Sequence, residues 1–177
     1  IRSRRQRQMC IRDRVYLTRI DAGDAAKKQF DNANNMTEQQ AALSALLSVE
    51  KGAEQAQEFY HQWKEDRLVI DKWFALQVAF APPEKAAIIA KSLTQHEDFN
   101  WKNPNRFRAV FGSLAGNMAG FHHLSGQGYE LMVQWLSRLD KINPQTTARM
   151  CGAFKTWRQF DKSRQAMLKP LLQNMLE

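Results

Sequence analysis

The sequence predicts an all-α chain, a HEAT- or armadillo-like superhelix of about eight antiparallel helices, and three observations lead there. Apolar residues recur at i, i+3, i+4 and i+7, as one buried face of a helix requires. No run alternates strictly between apolar and polar, and the β-branched residues are scattered among Ala, Leu, Gln, Lys and Glu, which favour helix. Residues that start and stop helices punctuate the chain at intervals that suit short helices joined in pairs.

In chain order, residues 1–14 carry six arginines against Asp13 alone and show neither helical periodicity nor an apolar signal core. They are set apart as a non-native or disordered basic tail, leaving 15–177 as the helical-repeat domain. Thr37 is the expected cap of a helix holding Leu43, Leu46 and Leu47, with Gln40 completing a capping box. The set Ala56, Phe59, Tyr60, Trp63 marks the next buried face. Boundaries are expected near Asn34-Asn35, Lys51-Gly52, Arg67, Pro82-Pro83 and the stretch from Thr94 to Trp101. Asn103-Pro104 and Asn143-Pro144 each read as a cap followed by proline at the first helical position, where the missing N–H would have no partner. They open helices marked by Phe107, Val110, Phe111, Leu114 and, after the face Met132, Trp135, Leu136, Leu139, a further segment. Aligning the two Asn-Pro pairs also matches Gly112-Ser113-Leu114 with Gly152-Ala153-Phe154, a weak repeat of helix-pair length. Leu168, Leu171, Leu172 and Met175 mark the last helix, in which Pro170 is expected to cause a kink or an early end.

Composition narrows the chemistry. At 177 residues and 44% apolar, the chain is long enough for one sizeable core or a short stack of repeats. Two cysteines, Cys10 and Cys151, cannot build a disulfide framework, which favours a reducing, cytoplasmic setting. The longest uncharged stretch, 109–129, is too rich in Gly, Ser, Asn and His to cross a bilayer. The net charge of +8 invites a nucleic-acid reading. Much of it sits in the tail, so nucleic acid is disfavoured as a partner of the folded part. Residues 15–98 hold nine basic and thirteen acidic side chains, whereas 99–177 hold eleven and four. No H-E-x-x-H, G-x-S-x-G, phosphate loop or dinucleotide fingerprint occurs. His122 and His123 are adjacent, so on a helix they point about 100° apart and share one metal ion poorly. No cofactor is expected in this chain.

A set of short segments nevertheless comes in a recognisable order. It runs Asn34-Asn35-Met36-Thr37, Ala41-Ala42-Leu43-Ser44-Ala45-Leu46, Phe59-Tyr60 with Trp63-Lys64, and Asp71-Lys72-Trp73-Phe74-Ala75-Leu76-Gln77. It continues through Asn103-Pro104-Asn105-Arg106, Phe121-His122, Gly126-x-Gly128-Tyr129, Leu139-Asp140, Asn143-Pro144-Gln145 and Phe160-Asp161 before Arg164-Gln165. This order resembles the C-terminal superhelical domain of the bacterial aminopeptidase N family, zinc metallo-aminopeptidases. Met118 and Ser125 depart from the family pattern, which has Pro and Asp there.

The resemblance implies a parent enzyme that removes N-terminal residues from peptides, its zinc and general base lying in a catalytic domain upstream of residue 1. The chain would be truncated on that side and would close and line the substrate cavity. Its partners would be that catalytic domain and peptide substrates. The cavity residues implied are Arg106 and Arg149, with Asn103, Asn105, His122 and Tyr129 as further candidates. Arg106 also draws interest on its own account: in a first helical turn a cation opposes the helix dipole, so a compensating anion is expected nearby. The alternative is a free-standing helical-repeat module that binds a protein or peptide.

Overall fold

The architecture is that of a computed structural model, in which residues 16–175 are described; the basic tail and Cys10 lie outside them. The chain divides into two compact units that meet in sequence between Pro82 and Pro83. Among the described residues every regular element is helical.

The first unit contains α1 (Asp24–Asp31), α2 (Met36–Leu47), α3 (Ala53–Trp63) and α4 (Arg67–Ala79). Helix α2 packs on α1, α3 and α4, and α3 packs on α4. Phe30, Leu43, Leu46, Phe59, Ile70 and Phe74 are buried there, Leu43 with Leu46 and Ile70 with Phe74 at the three- and four-residue spacings that share one helix face. Two buried or half-buried indoles here are satisfied by neutral partners. The Trp73 indole donates to the Ala56 carbonyl at 2.7 Å, and Gln39 accepts from the Trp63 indole at 2.9 Å while donating to Gln62 at 2.7 Å.

Helix α2 starts earlier than the Thr37 cap would place it. Asn35 takes an extended backbone conformation and accepts from the Glu38 N–H at 3.0 Å, so Thr37 lies inside the first turn. Both residue types can cap, and Asn is the stronger of the two and comes first. Asp66 caps α4 in the same manner.

The second unit contains α5 (Ala86–Leu93), α6 (Pro104–Phe107), a π-helical segment (Arg108–Gly112), α7 (Ser113–Gly116), α8 (Met118–Phe121), α9 (Gln127–Asp140), α10 (Pro144–Met150), 3-10 turns at Cys151–Phe154 and Trp157–Gln159, and α11 (Lys162–Asn174). Helix α9 is the hub and packs against α5, α8, α10 and α11. Met132, Leu136 and Leu139 of α9 are buried, as are Phe107, Val110, Phe111 and Leu114 along the interrupted helix from 104 to 116. The apolar stripe thus survives the π segment, which widens the turn without turning the face away from the core.

Both Asn-Pro starts form as expected. Asn103 accepts from the Asn105 N–H and Asn143 from the Thr146 N–H, each at 3.0 Å, and the repeat-related Leu114 and Phe154 are both buried. The expected eight or so helices resolve into eleven α-helical segments from Asp24 onward because the 104–121 region is subdivided by the π segment and by Asn117, which ends α7 and caps α8. Pro170 does not end the last helix, which continues to Asn174. The carbonyl it leaves without a donor belongs to Ala166, an exposed residue at which water can serve it.

Candidate functional site

The candidate residues all lie in the second unit, where they fall into two local networks and one exposed position. The first network forms at the start of α6. Asn103, half-buried, caps the helix, and the side chain of exposed Asn105 accepts from the Arg108 guanidinium at 2.6 Å. Arg106 is only 6% exposed, and its guanidinium donates to the backbone carbonyl of Asp98. An always-charged group is held inside by a strong acceptor in the loop before the helix, and it fastens that loop to α6.

The second network joins the loop after α8 to α9 and α11. His122 is 8% exposed and Tyr129 is fully buried, and Nδ1 of the imidazole lies 2.8 Å from the phenol oxygen. Burial lowers the His122 pKa from its ordinary 6.5, with the Arg164 charge acting in the same direction. Burial likewise raises the Tyr129 pKa. Both shifts favour neutral groups, and a neutral imidazole can accept a hydrogen bond from the phenol on Nδ1. The Phe160 ring lies 4.1 Å from the His122 ring, centroid to centroid.

Arg164 closes this network from α11. Its Nε donates to the His122 carbonyl at 2.6 Å while Nη1 pairs with Asp161, the N-cap of its own helix. Hydrogen bonds from Arg164 lower the Asp161 pKa. Two glycines allow the close packing: Gly126 has φ +72°, and a Cβ on Gly128 would come within 2.8 Å of the Phe121 carbonyl oxygen.

Arg149 is exposed on α10. Arg164, Asp161 and Phe160 are the residues that sequence reasoning did not nominate. A signal existed, since an Asp three residues before an Arg is what an N-cap with an ion pair across the first turn looks like. Among the described residues no three His, Cys, Asp or Glu side chains come together as a metal-ligand group.

What the arrangement offers is two hydrogen-bonded networks with buried centres, and the exposed side chains of Asn105, Arg108 and Arg149. The family described as a domain of unknown function (DUF3458_C) with ARM repeats matches residues 1–177. The chain is 37% identical over 173 residues to aminopeptidase N of Haemophilus influenzae, covering 96% of this chain and 19% of that protein. It is 35% identical over 178 residues to aminopeptidase N of Escherichia coli, covering 99% of this chain and 20% of that one. The crystal structure of Legionella pneumophila aminopeptidase A in complex with aspartic acid matches with a TM-score of 0.84 and 35% identity, over 90% of this chain and 20% of the other. The chain therefore spans about one fifth of the length of these relatives. It belongs to the DUF3458_C family of ARM-repeat domains, the C-terminal domain of aminopeptidase N-type proteins.

Proposed function

We propose that this chain serves as the C-terminal superhelical domain of a zinc-dependent aminopeptidase that removes N-terminal residues from peptides, and that it closes and lines the substrate cavity. The observation that supports this reading is the similarity to aminopeptidase N along 96% of the chain. Zinc and the general base belong to the catalytic domain of such a polypeptide, which is this domain's partner together with the peptide. A cytoplasmic location fits the two cysteines, of which Cys151 is a free thiol. Among the described residues no helix is long and apolar enough to cross a membrane.

Within this proposal the candidate residues divide by accessibility. Asn103, Asn105 and Arg149 have solvent-reaching side chains that can meet peptide carbonyl or carboxylate groups. Arg106, His122 and Tyr129 act from inside, the first by binding the Asp98 carbonyl and the other two by binding each other.

Two measurements test the reading. The isolated chain is expected to show helical circular dichroism and no hydrolysis of aminoacyl-nitroanilides with added zinc, because its sequence holds no H-E-x-x-H. Chelator-sensitive turnover by the pure chain would overturn that assignment. In the complete polypeptide, Arg149→Ala is expected to lower kcat/KM on long peptides by up to about fivefold, the range for an exposed charge contact, with zinc content intact and single-residue reporters unaffected. Equal rates on long peptides would remove Arg149 from the cavity wall.

A further inference from the structure

A second charged group in this unit, Arg138 near the end of α9, is held in a way its neighbours are not. Its guanidinium carbon lies 4.5 Å from the centre of the Trp135 ring and 5.5 Å from that of Trp101. Trp135 is in turn fixed by ring contacts with Phe99 and Phe111, each at 5.6 Å, and with Trp101 at 6.1 Å. Phe111 is fully buried, so this aromatic stack runs from the core to the surface, where Arg138 is exposed and Trp101 half-buried. Arg158, by comparison, lies over the single ring of its chain neighbour Trp157.

Among the described residues no Asp or Glu forms a salt bridge with Arg138. Its donors are therefore left for an acceptor from outside these residues. Two aromatic faces restrict the plane of the guanidinium, so little conformational freedom remains to be lost when its edge meets a carboxylate. Residues 83–175 hold thirteen basic side chains against six acidic ones, Glu97 and Asp98 included, so the unit carries a basic excess that complements an acidic segment. Tryptophan and arginine are also the side chains most enriched among residues that dominate protein interfaces.

We propose that Arg138, clamped by Trp101 and Trp135, is the anchor of a docking surface for an acidic protein segment, and that it receives a Glu or Asp side chain of that partner. The probe is an oligoglutamate peptide titrated into the full chain, followed by the indole N–H signals of the individual tryptophans in nitrogen-15 NMR spectra. These signals separate binding at Arg138 from diffuse binding to the arginine-rich residues 1–14. Trp101 and Trp135 are expected to shift saturably while Trp63 and Trp73 stay in place. Arg138→Ala is expected to weaken the binding seen at Trp101 by about fivefold or more, the range for truncating a dominant interface residue. Arg138→Lys should fall between, since it keeps the charge and loses the planar stack, whereas Lys162→Ala should stay within about twofold of the parent chain. Circular dichroism melts confirm that each variant is folded. Failure of Trp101 and Trp135 to shift would overturn the proposal. So would equal losses from Arg138→Ala and Lys162→Ala, or full binding by Arg138→Ala.

Discussion

The two units solve the same packing problem with different buried polar groups. Residues 16–82 hold seven basic and ten acidic side chains, yet bury only the uncharged Thr18, Gln29, Gln39 and Gln55 among their polar residues. Residues 83–175 hold thirteen basic and six acidic side chains and bury Arg106 and His122 as well as Thr147. Helix regularity differs in step with this. From Asp24 onward the first unit uses four uninterrupted helices, whereas the described part of the second includes the π segment, two 3-10 turns and three α-helical pieces of four residues. Loop backbone and helix ends leave carbonyls without intrahelical donors, and two arginines supply them: Arg106 at Asp98 in the loop before α6, and Arg164 at His122 just past the end of α8. The comparison teaches that ionisable groups enter the interior where a partner meets them there, a loop carbonyl for Arg106 and the Tyr129 phenol for His122.

The largest effect expected from breaking the second arrangement is loss of its aromatic centre. Phe121 is 1% exposed and touches the rings of His122, Tyr129 and Phe154, so Phe121→Ala should cost about 3–5 kcal/mol in urea unfolding. Next comes the buried guanidinium. Arg106→Ala removes a charge-assisted bond to the Asp98 carbonyl and should cost about 1.5–3 kcal/mol, with faster amide exchange in the 94–103 loop as its signature. An unchanged loop would mean that the carbonyl does not depend on the arginine.

A smaller effect is expected from the His122–Tyr129 pair. Its folded imidazole binds protons less readily than an unfolded one, so the stability it contributes is complete above about pH 6.5 and is lost as the pH falls below that value toward the lowered folded pKa. Urea unfolding between neutral and mildly acidic pH should show this slope, and His122→Gln should flatten it. Tyr129→Phe should cost about 0.5–1.5 kcal/mol and raise the His122 pKa, because the neutral ring loses a donor. The smallest test belongs to the first unit. Asn35→Ala should cost about 1 kcal/mol and Thr37→Ala much less, which would be reversed if Thr37 were the cap.

Much of the fold was legible because it depends on neighbours a few residues apart. The apolar period placed Phe107, Val110, Phe111 and Leu114 on one buried face, and the Asn-Pro pairs marked two helix starts that form as read. Local competition was harder to read: Asn35 and Thr37 are both able caps, and only the backbone conformation selects the first. The candidate sites were legible as residue names and illegible as networks. That the Arg164 side chain would reach the His122 carbonyl across 42 residues, or that Arg106 would be buried against Asp98, follows from how α11 and the loop before α6 pack. The sequence by itself determined the helical class, most helix boundaries and the family resemblance, since these rest on short-range spacing and residue order. Only the tertiary structure decided which charges are buried and what they hold, because that depends on which backbone acceptors the loops and helix ends leave free and which side chains packing brings to them.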